Sequence, residues 1–333
     1  MPEISVIIPV YNSARYLREC LESVLGQTVH DIEIICINDG STDESLQILH
    51  DFKHKDSRIT IIDQKNAGVS AARNEGLAIA SGKYVGFVDG DDTVSSDYFE
   101  KLIHEAERTG ADAVYSRFAK DSASDFEKVL NGQGIISHLL PEFFKGDTYN
   151  SVCNKIFRTE TVKAGGLAFP TGTALGEDAY FNIAFLVKAE RIAILDYSGY
   201  HYREVPGSAT RNIAKHDYLK RIVEVYRTDW KPVIGDLISG QDMLKLKKIR
   251  LVNAIISLIY IYGNRGNDLT DGQRFAKLHE IVQHSDIVQV FSDLQIGQEL
   301  KLGKYAHSIF SQIRKKNVLY LYLLTRYSYY RNR

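Results

Sequence analysis

Three aspartates follow an apolar run in this 333-residue chain. Residues 83–88 have the composition of a buried strand, and Asp89-Gly90-Asp91-Asp92 comes directly after them. Carboxylates this close repel one another, so their ionised forms cost free energy unless a cation is bound. Mg²⁺ or Mn²⁺ binds through one or two carboxylates while phosphate oxygens fill the other positions. The cluster therefore predicts a metal-diphosphate site; the alternative is a plain turn, because Asp-Gly is common in turns.

Composition and charge set limits on the class of protein. Hydrophobic residues make up 44% of the chain and charged residues 25%, which is typical of a soluble globular protein. The net charge of −1 gives no reason to expect a nucleic-acid partner. Cys20, Cys36 and Cys153 form no C-x-x-C pair, which favours a reducing compartment without disulfides. With neither a signal peptide nor a long apolar window in the sequence, we expect a cytoplasmic protein.

The first 120 residues alternate between strand and helix patterns, which predicts a mostly parallel sheet with helices on both faces. The predicted strands are residues 4–10, 31–37, 58–62, 84–88 and 111–118. Ser41 and Glu44 have the spacing of a capping box, which predicts a helix from there to Phe52. Residues 191–195 and 197–203 have strand character, and the pattern is helical from about residue 215 onward.

Ligands of such sheets bind beyond the carboxyl ends of the strands. Polar residues collect at three of these ends, in residues 9–12, 38–40 and 89–92. The sequence therefore predicts one crevice that all three ends line.

Five segments occur in a fixed order: SVIIPVYN (5–12), NDGSTD (38–43), NAGVSAARN (66–74), DGDD (89–92) and GEDAYF (176–181). Together they resemble glycosyltransferase family 2, the inverting GT-A enzymes that use nucleotide-sugar donors. The resemblance implies an α/β fold with a Rossmann-like nucleotide-sugar-binding sheet, flanking helices and a helical C-terminal region. It also implies a catalytic domain over residues 1–212, with a nucleotide-binding half (1–120) and an acceptor half (121–212), and a helical region over 213–333.

The resemblance implies binding roles for eight residues toward a UDP-sugar. Pro9 and Tyr11 would line the uracil pocket, and Asp39 would accept a hydrogen bond from the base. Arg73 and Asp89 would lie near the donor, and Arg203 would pair with its diphosphate. The residues implied in donor binding are Pro9, Tyr11, Asp39, Arg73, Asp89, Gly90, Asp91 and Arg203.

The resemblance also implies a Mn²⁺ or Mg²⁺ cofactor that neutralises the diphosphate. Asp91 would be its main ligand, with Asp92 beside it and His201 as a further ligand. For His201 the alternative is a structural hydrogen-bonding role, which is common for a single histidine between tyrosines.

Asp178 would be the catalytic base that takes the proton of the acceptor hydroxyl. Glu177 competes for this role, because adjacent residues cannot be separated by sequence alone. Both acids alternatively fit the first turn of a helix, where the dipole favours negative charge. Asn154 and Lys155 would lie on the acceptor side, with an exposed strand end as the alternative for Lys155.

These expectations combine into an inverting glycosyltransferase for bacterial surface polysaccharide, such as capsule or O-antigen. Its partners would be a UDP-sugar and a saccharide or lipid-linked oligosaccharide acceptor. The basic, Tyr/Leu-rich last twenty residues predict peripheral contact with the inner face of the membrane, with packing on a core or on a second subunit of a homo-oligomer as alternatives. A nucleotide-sugar-binding pseudoenzyme or scaffold and a nucleotidyltransferase are the competing functions.

Overall fold

The computed structural model describes residues 1–118, 129–171, 176–203, 217–263, 269–300 and 302–331. The chain divides into two compact units. The first is Met1–Leu140 with Asp147–Val205, and the second is Pro141–Gly146 with Pro206–Arg333. The domain boundary predicted after residue 212 lies outside the described residues.

The first unit is built on a sheet, and most of its strands correspond to apolar runs in the sequence. Its described strands are β1 (Ile4–Val10), β2 (Ile32–Asp39), β3 (Ile59–Gln64), β4 (Tyr84–Phe87), β5 (Thr93–Val94), β6 (Ala113–Tyr115), β7 (Val129–Asn131), β8 (Lys155–Arg158), β9 (Arg191–Ile194) and β10 (Tyr200–His201). Eight of them form one sheet in the order β3-β2-β1-β4-β8-β6-β9-β7, and β10 pairs with β5 separately.

The four strands β3-β2-β1-β4 run parallel, as predicted for the nucleotide-binding half. β8 runs antiparallel to both β4 and β6, so the sheet changes direction beside the acidic cluster. The predicted α/β fold with a parallel-rich sheet is confirmed. The strands predicted over 111–118 and 197–203 are shorter, at three and two residues.

The helices of this part of the chain connect and cover the strands. They are α1 (Ala14–Leu25), α2 (Ser45–Lys53), α3 (Val69–Ile79), α4 (Tyr98–Thr109), α5 (Gly132–Gly134), a π-helix (Ile135–Leu139), α6 (Leu140–Lys145), α7 (Thr159–Ala164) and α8 (Glu177–Lys188).

The capping box predicted at Ser41 is wrong. α2 begins only at Ser45, after Glu44. Ser41 Oγ instead accepts a hydrogen bond from the Asn12 amide at 3.1 Å, and Asp43 accepts one from the Ser45 amide at 3.0 Å. The Ser41 hydroxyl, which the sequence pattern predicted to cap a helix, therefore binds the loop after β1 instead.

Gly76 lets α3 pack closely on the parallel sheet. A Cβ at this position would lie 2.5 Å from Ile7 Cγ2 and 3.1 Å from Ile37 Cδ1. Since real Cβ atoms do not approach that closely, any larger residue would push α3 away from β1 and β2.

We expect Gly76→Ala to lower the free energy of unfolding by about 1–3 kcal/mol, because overpacking outweighs the better helix propensity of alanine. Gly132→Ala in the same unit is the matched control, since nothing lies within 4 Å of its Cβ position. Urea unfolding of both variants measures the difference, and equal stability would show that the contact relaxes without cost.

The described second unit is helical, which confirms the predicted helical C-terminal region. Its helices are α9 (Tyr218–Arg227), α10 (Lys231–Ile234), α11 (Gly240–Gly263), α12 (Asp271–Gln283), α13 (Ser285–Ser292), α14 (Leu294–Glu299), α15 (Lys304–Arg314) and α16 (Val318–Arg331). Fully buried side chains of α11, such as Val252, Ile255 and Ile259, form the centre of its core. Among the described residues, no helix is long and apolar enough to cross a membrane.

Candidate active site

The loops after β1 and β2 are tied to each other at the carboxyl edge of the sheet. Asn12 has a φ of 51°, and its Oδ1 accepts a hydrogen bond from the Thr42 amide at 2.8 Å. Asp43 Oδ2 accepts the amide of Ala14, at the start of α1, at 3.0 Å. These bonds hold the strand end at which Pro9 is half-buried and the Tyr11 side chain is exposed.

Asp39 ends β2, and its buried carboxylate organises the loop that leads into α3. Oδ1 accepts hydrogen bonds from the Ala67 amide at 2.8 Å and from Gln64 Nε2 at 2.7 Å, and Oδ2 accepts the Gly68 amide at 2.9 Å. The sequence did not indicate this loop-closing role. Hydrogen bonding of Asp39 to a nucleobase stays a prediction.

The acidic cluster follows β4, and its three carboxylates have different surroundings. Asp92 is buried, with Oδ2 accepting the Tyr200 hydroxyl at 2.6 Å and Oδ1 accepting the Arg203 amide at 2.7 Å. Burial raises the pKa of Asp92 to about 7. Both oxygens thus accept hydrogen bonds from the β10 segment and the residue that follows it, and the metal-ligand role of Asp92 stays a prediction.

Asp91 is half-buried, and no other residue of the described chain donates a hydrogen bond to its side chain. Burial and the charge of Asp89 raise its pKa above the usual aspartate range. The Asp89 side chain is 36% exposed, and its Oδ1 accepts a hydrogen bond from Arg73 Nη2 at 3.0 Å. Asp91 is thus the carboxylate of the cluster whose negative charge is least compensated by the protein.

Arg73 of α3 joins the acidic cluster to the opposite wall of the site. Its side chain is only 4% exposed, and Nη1 donates to Asp178 Oδ1 at 2.6 Å while Nη2 contacts Asp89. Burial alone would lower the pKa of Arg73, but Asp178 and Asp89 raise it, so the guanidinium is charged at every physiological pH. The guanidinium also lies 5.3 Å from the centre of the Phe169 ring.

Asn74 and Phe181 hold the segment around Phe169 in place. Asn74 Nδ2 donates to the Phe169 carbonyl at 2.9 Å, and the Phe169 amide donates to Asn74 Oδ1 at 2.8 Å. The Phe169 ring stacks on that of Phe181, with centroids 4.4 Å apart. No sequence signal links positions 95 residues apart, so this support for Arg73 appears only in the fold.

Glu177 and Asp178 begin α8, as the sequence predicted. Asp178 is 22% exposed, and its Oδ2 accepts the Val152 amide at 3.4 Å in addition to the Arg73 bond on Oδ1. Glu177 lies further from Arg73, at 4.0 Å. Burial raises the pKa of both carboxyls, with the neighbouring Asp178 adding to the shift of Glu177 and Arg73 opposing that of Asp178.

We expect Arg73→Lys to lower kcat by up to about a hundredfold, because one ammonium cannot hold both carboxylates as the guanidinium fork does. The pKa of Asp178 should rise as its cationic partner weakens, which moves the acid limb of the pH-rate profile to higher pH.

Arg58→Lys is the matched control for Arg73→Lys, since Arg58 makes a forked contact with Asp56 in the same unit. A loss of stability in Arg73→Lys with an unchanged pH profile would mean that Arg73 serves packing alone.

Two residues expected to bind the donor or the metal have protein partners instead. His201 is exposed, and its Nε2 lies 2.8 Å from Ser95 Oγ. Arg203 contacts Glu19 and lies 4.8 Å from the centre of the Tyr16 ring. These contacts use one ring nitrogen of His201 and one Nη of Arg203, and the ligand roles of both residues stay predictions.

Asn154 and Lys155 are both buried next to the loop that precedes β8. Lys155 is fully buried at the start of β8, so the expected exposed strand end is wrong. Its Nζ donates to the Tyr149 carbonyl and to Asn154 Oδ1, each at 2.9 Å, and also to the Ser151 carbonyl. These bonds brace the loop whose next amide, of Val152, contacts Asp178. The pair therefore supports the loop that contacts the Asp178 carboxylate, and its acceptor-side role stays a prediction.

The chemistry of the acidic cluster fits a divalent cation that shares its coordination with a diphosphate. No group of three or more His, Cys, Asp or Glu side chains in the described chain is arranged to hold a metal by itself. A cation that takes phosphate oxygens needs only one or two protein carboxylates. Asp91 meets that need, because its pKa is raised and its carboxylate accepts no hydrogen bond from another described residue. Asp89 lies beside it in the chain.

Comparisons with known proteins agree with this arrangement. Residues 5–166 match the family model described as glycosyl transferase family 2. The chain is 39% identical over 219 residues to "Uncharacterized glycosyltransferase EpsJ" of Bacillus subtilis (strain 168), a match that covers 63% of each protein. It is 33% identical over 215 residues to the poly(ribitol-phosphate) beta-glucosyltransferase of Bacillus spizizenii, covering 60% of this chain and 32% of that protein. The matches thus span less than two thirds of either relative.

Among solved structures, the chain is similar to residues 1–349 of S. aureus TarS, crystallised in complex with UDP-GlcNAc. The TM-score is 0.63 at 21% identity, and the match covers 100% of this chain and 93% of that chain. At this identity the likeness shows the fold. Residues 5–166 thus form a glycosyl transferase family 2 domain, and the described chain has the GT-A fold.

Proposed function

We propose that this protein is an inverting glycosyltransferase that moves a sugar from a UDP-sugar onto a hydroxyl of a saccharide. The observation that carries the proposal is the Asp89–Arg73–Asp178 bridge at the carboxyl edge of the sheet. Through Asp89, the buried guanidinium connects the acidic cluster, which is proposed to hold a cation, with Asp178, which is proposed as the base. A metal-assisted displacement at an anomeric carbon uses these two kinds of group.

Asp178 acts as the base in this proposal. Its Oδ1 is held by Arg73, while among the described residues Oδ2 accepts only the long hydrogen bond from the Val152 amide and is the oxygen proposed to take the substrate proton. A single base and a direct displacement lead to inversion, so an α-linked donor gives a β-linked product. Glu177 is less well placed, because its contact with Arg73 is weaker.

Asp91, with Asp89 beside it, would hold Mn²⁺ or Mg²⁺ together with the diphosphate. The cation would act as a Lewis acid that stabilises the negative charge of the departing nucleotide. Asp92 keeps the segment that follows the cluster in place through Tyr200 and the Arg203 amide. Because the metal-bound diphosphate is a good leaving group, no second carboxylic acid is needed, unlike in a glycosidase.

The donor is proposed to lie across the ends of β1, β2 and β4. The exposed Tyr11 ring offers a surface for uracil, and Pro9 and Asp39 lie at the neighbouring strand ends. Support for a UDP-sugar comes from the TarS complex with UDP-GlcNAc, which shares this fold. Support for a cell-surface polymer as acceptor comes from the poly(ribitol-phosphate) beta-glucosyltransferase relative. We propose a saccharide or polyol acceptor of such a polymer, attached to a lipid carrier in the cell.

A screen of UDP-sugars for UDP release, with and without EDTA, tests the proposal. We expect slow metal-dependent hydrolysis of one donor and faster release when a matching saccharide acceptor is added. Donor binding without turnover in every combination would favour the pseudoenzyme, and pyrophosphate release from UTP with a sugar phosphate would favour a nucleotidyltransferase.

A further inference from the structure

We propose that α16 and the turn before it bind an anionic lipid surface. Four apolar or aromatic side chains of α16 are open to solvent: Leu319 at 61% exposure, Tyr320 at 45%, Leu323 at 54% and Tyr327 at 64%. At 3.6 residues per turn they fall within an arc of roughly 100° on one side of the helix. Exposed apolar residues normally occur singly, so a contiguous strip of this kind indicates an interaction surface.

The opposite side of α16 is already used for folding. Val318, Leu321 and Thr325 are buried, and the first two belong to the core of the second unit. Tyr322 adds an edge-to-face contact with Phe275 of α12, with centroids 6.1 Å apart. The helix is thus held by its inner side, while the four side chains of the outer strip are open to solvent among the described residues of this unit.

The charge of the segment indicates what the strip binds. All acidic residues of the chain lie before residue 300, whereas residues 300–333 contain basic residues and no Asp or Glu. Arg314, Lys315 and Lys316 form an exposed basic turn between α15 and α16. A cluster of lysines and arginines beside exposed leucines and tyrosines matches anionic headgroups above an acyl layer.

A second copy of this chain fits the strip less well. A two-fold dimer interface brings the same patch of both subunits together. Because residues 300–333 carry basic residues and no acidic ones, each copy would offer the other only like charge, whereas an anionic membrane attracts both the charge and the apolar strip. The inference does not depend on the proposed sugar transfer, because lipid binding is measured without substrate.

Co-sedimentation of the full chain with phosphatidylcholine vesicles, with and without phosphatidylglycerol, tests this surface. We expect binding only to the anionic vesicles, weakening as salt is added. Leu319→Glu with Leu323→Glu should reduce this binding by tenfold or more, on the order expected for losing two buried leucines and adding two negative charges. Leu237→Glu with Leu244→Glu is the control, because those leucines are exposed to 44% and 46% in the same unit.

A second set of variants tests the basic turn. Replacing Arg314, Lys315 and Lys316 by Ser should weaken binding by roughly tenfold or more, since each basic residue near an anionic surface adds to the attraction. Replacing Lys220, Arg227 and Lys231 by Ser removes the same charge elsewhere and should have a small effect. Circular dichroism shows whether each variant is folded.

Two results would overturn the inference. One is a folded wild-type chain that binds anionic and neutral vesicles equally or binds neither. The other is a dimer, detected by light scattering, that the Leu319→Glu and Leu323→Glu pair dissociates while vesicle binding stays the same. That second result would assign the strip to another copy of the chain.

Discussion

Asp178→Asn is expected to lower the rate of sugar transfer by about 10²–10⁴-fold, the usual contribution of a positioned general base. The asparagine can still accept a hydrogen bond from Arg73, so the site should remain assembled. It cannot take the proton of the attacking hydroxyl. Donor binding should therefore be nearly unchanged while kcat falls, which transfer assays and UDP titration measure separately.

Glu177→Gln is the control for this variant, since it removes the adjacent carboxylate. We expect a modest loss, because Glu177 contacts Arg73 only at 4.0 Å. Equal or larger loss in Glu177→Gln, with Asp178→Asn active, would move the base to Glu177.

The pH dependence of the transfer rate is a second, independent test of Asp178 as the base. Burial raises the folded-state pKa of Asp178, so the wild-type rate should fall as pH decreases through that raised value, earlier than for an ordinary aspartate. Asp178→Asn has no such group, and its residual rate should lack this acid limb.

Asp91→Ala is expected to remove the metal dependence of UDP binding. In the wild type, Mn²⁺ should strengthen UDP binding, and EDTA should cancel the gain. The variant should bind UDP at the EDTA level whether or not metal is present, a loss of roughly a hundredfold in affinity with Mn²⁺, because it lacks the carboxylate that shares the cation with the diphosphate. Isothermal titration calorimetry measures all four combinations.

Asp31→Ala is the control for Asp91→Ala, since Asp31 is an exposed aspartate of the same unit. It should keep the wild-type response to metal. If UDP binds the wild type equally well with Mn²⁺ and with EDTA, the assignment of Asp91 fails.

Much of the sheet formed by residues 1–120 could be predicted from the chain. β1 lies at the centre of a parallel sheet, so nearly all of its side chains are buried and the strand reads as an unbroken apolar run. Glu177 and Asp178 were placed correctly at the start of α8. These features depend on local composition, which a sequence displays directly.

The partners of the acidic cluster could not be predicted. Asp92 and Tyr200 are 108 residues apart, and the bond between them exists only because β10 pairs with β5. For that reason the sequence did not show that both Asp92 oxygens accept hydrogen bonds from the protein. The expectation of an exposed Lys155 was wrong for a related reason: a buried lysine needs several acceptors, and its carbonyl partners come from a loop whose path the sequence does not show.

A cation bound at Asp91 is central to the proposed function, and one measurement tests its presence most directly. Crystals of the wild-type chain grown with UDP and Mn²⁺ should show an anomalous manganese peak in coordination distance of both Asp91 and the diphosphate oxygens. UDP bound across the ends of β1, β2 and β4 with no manganese peak, or with the peak away from Asp91, would contradict it.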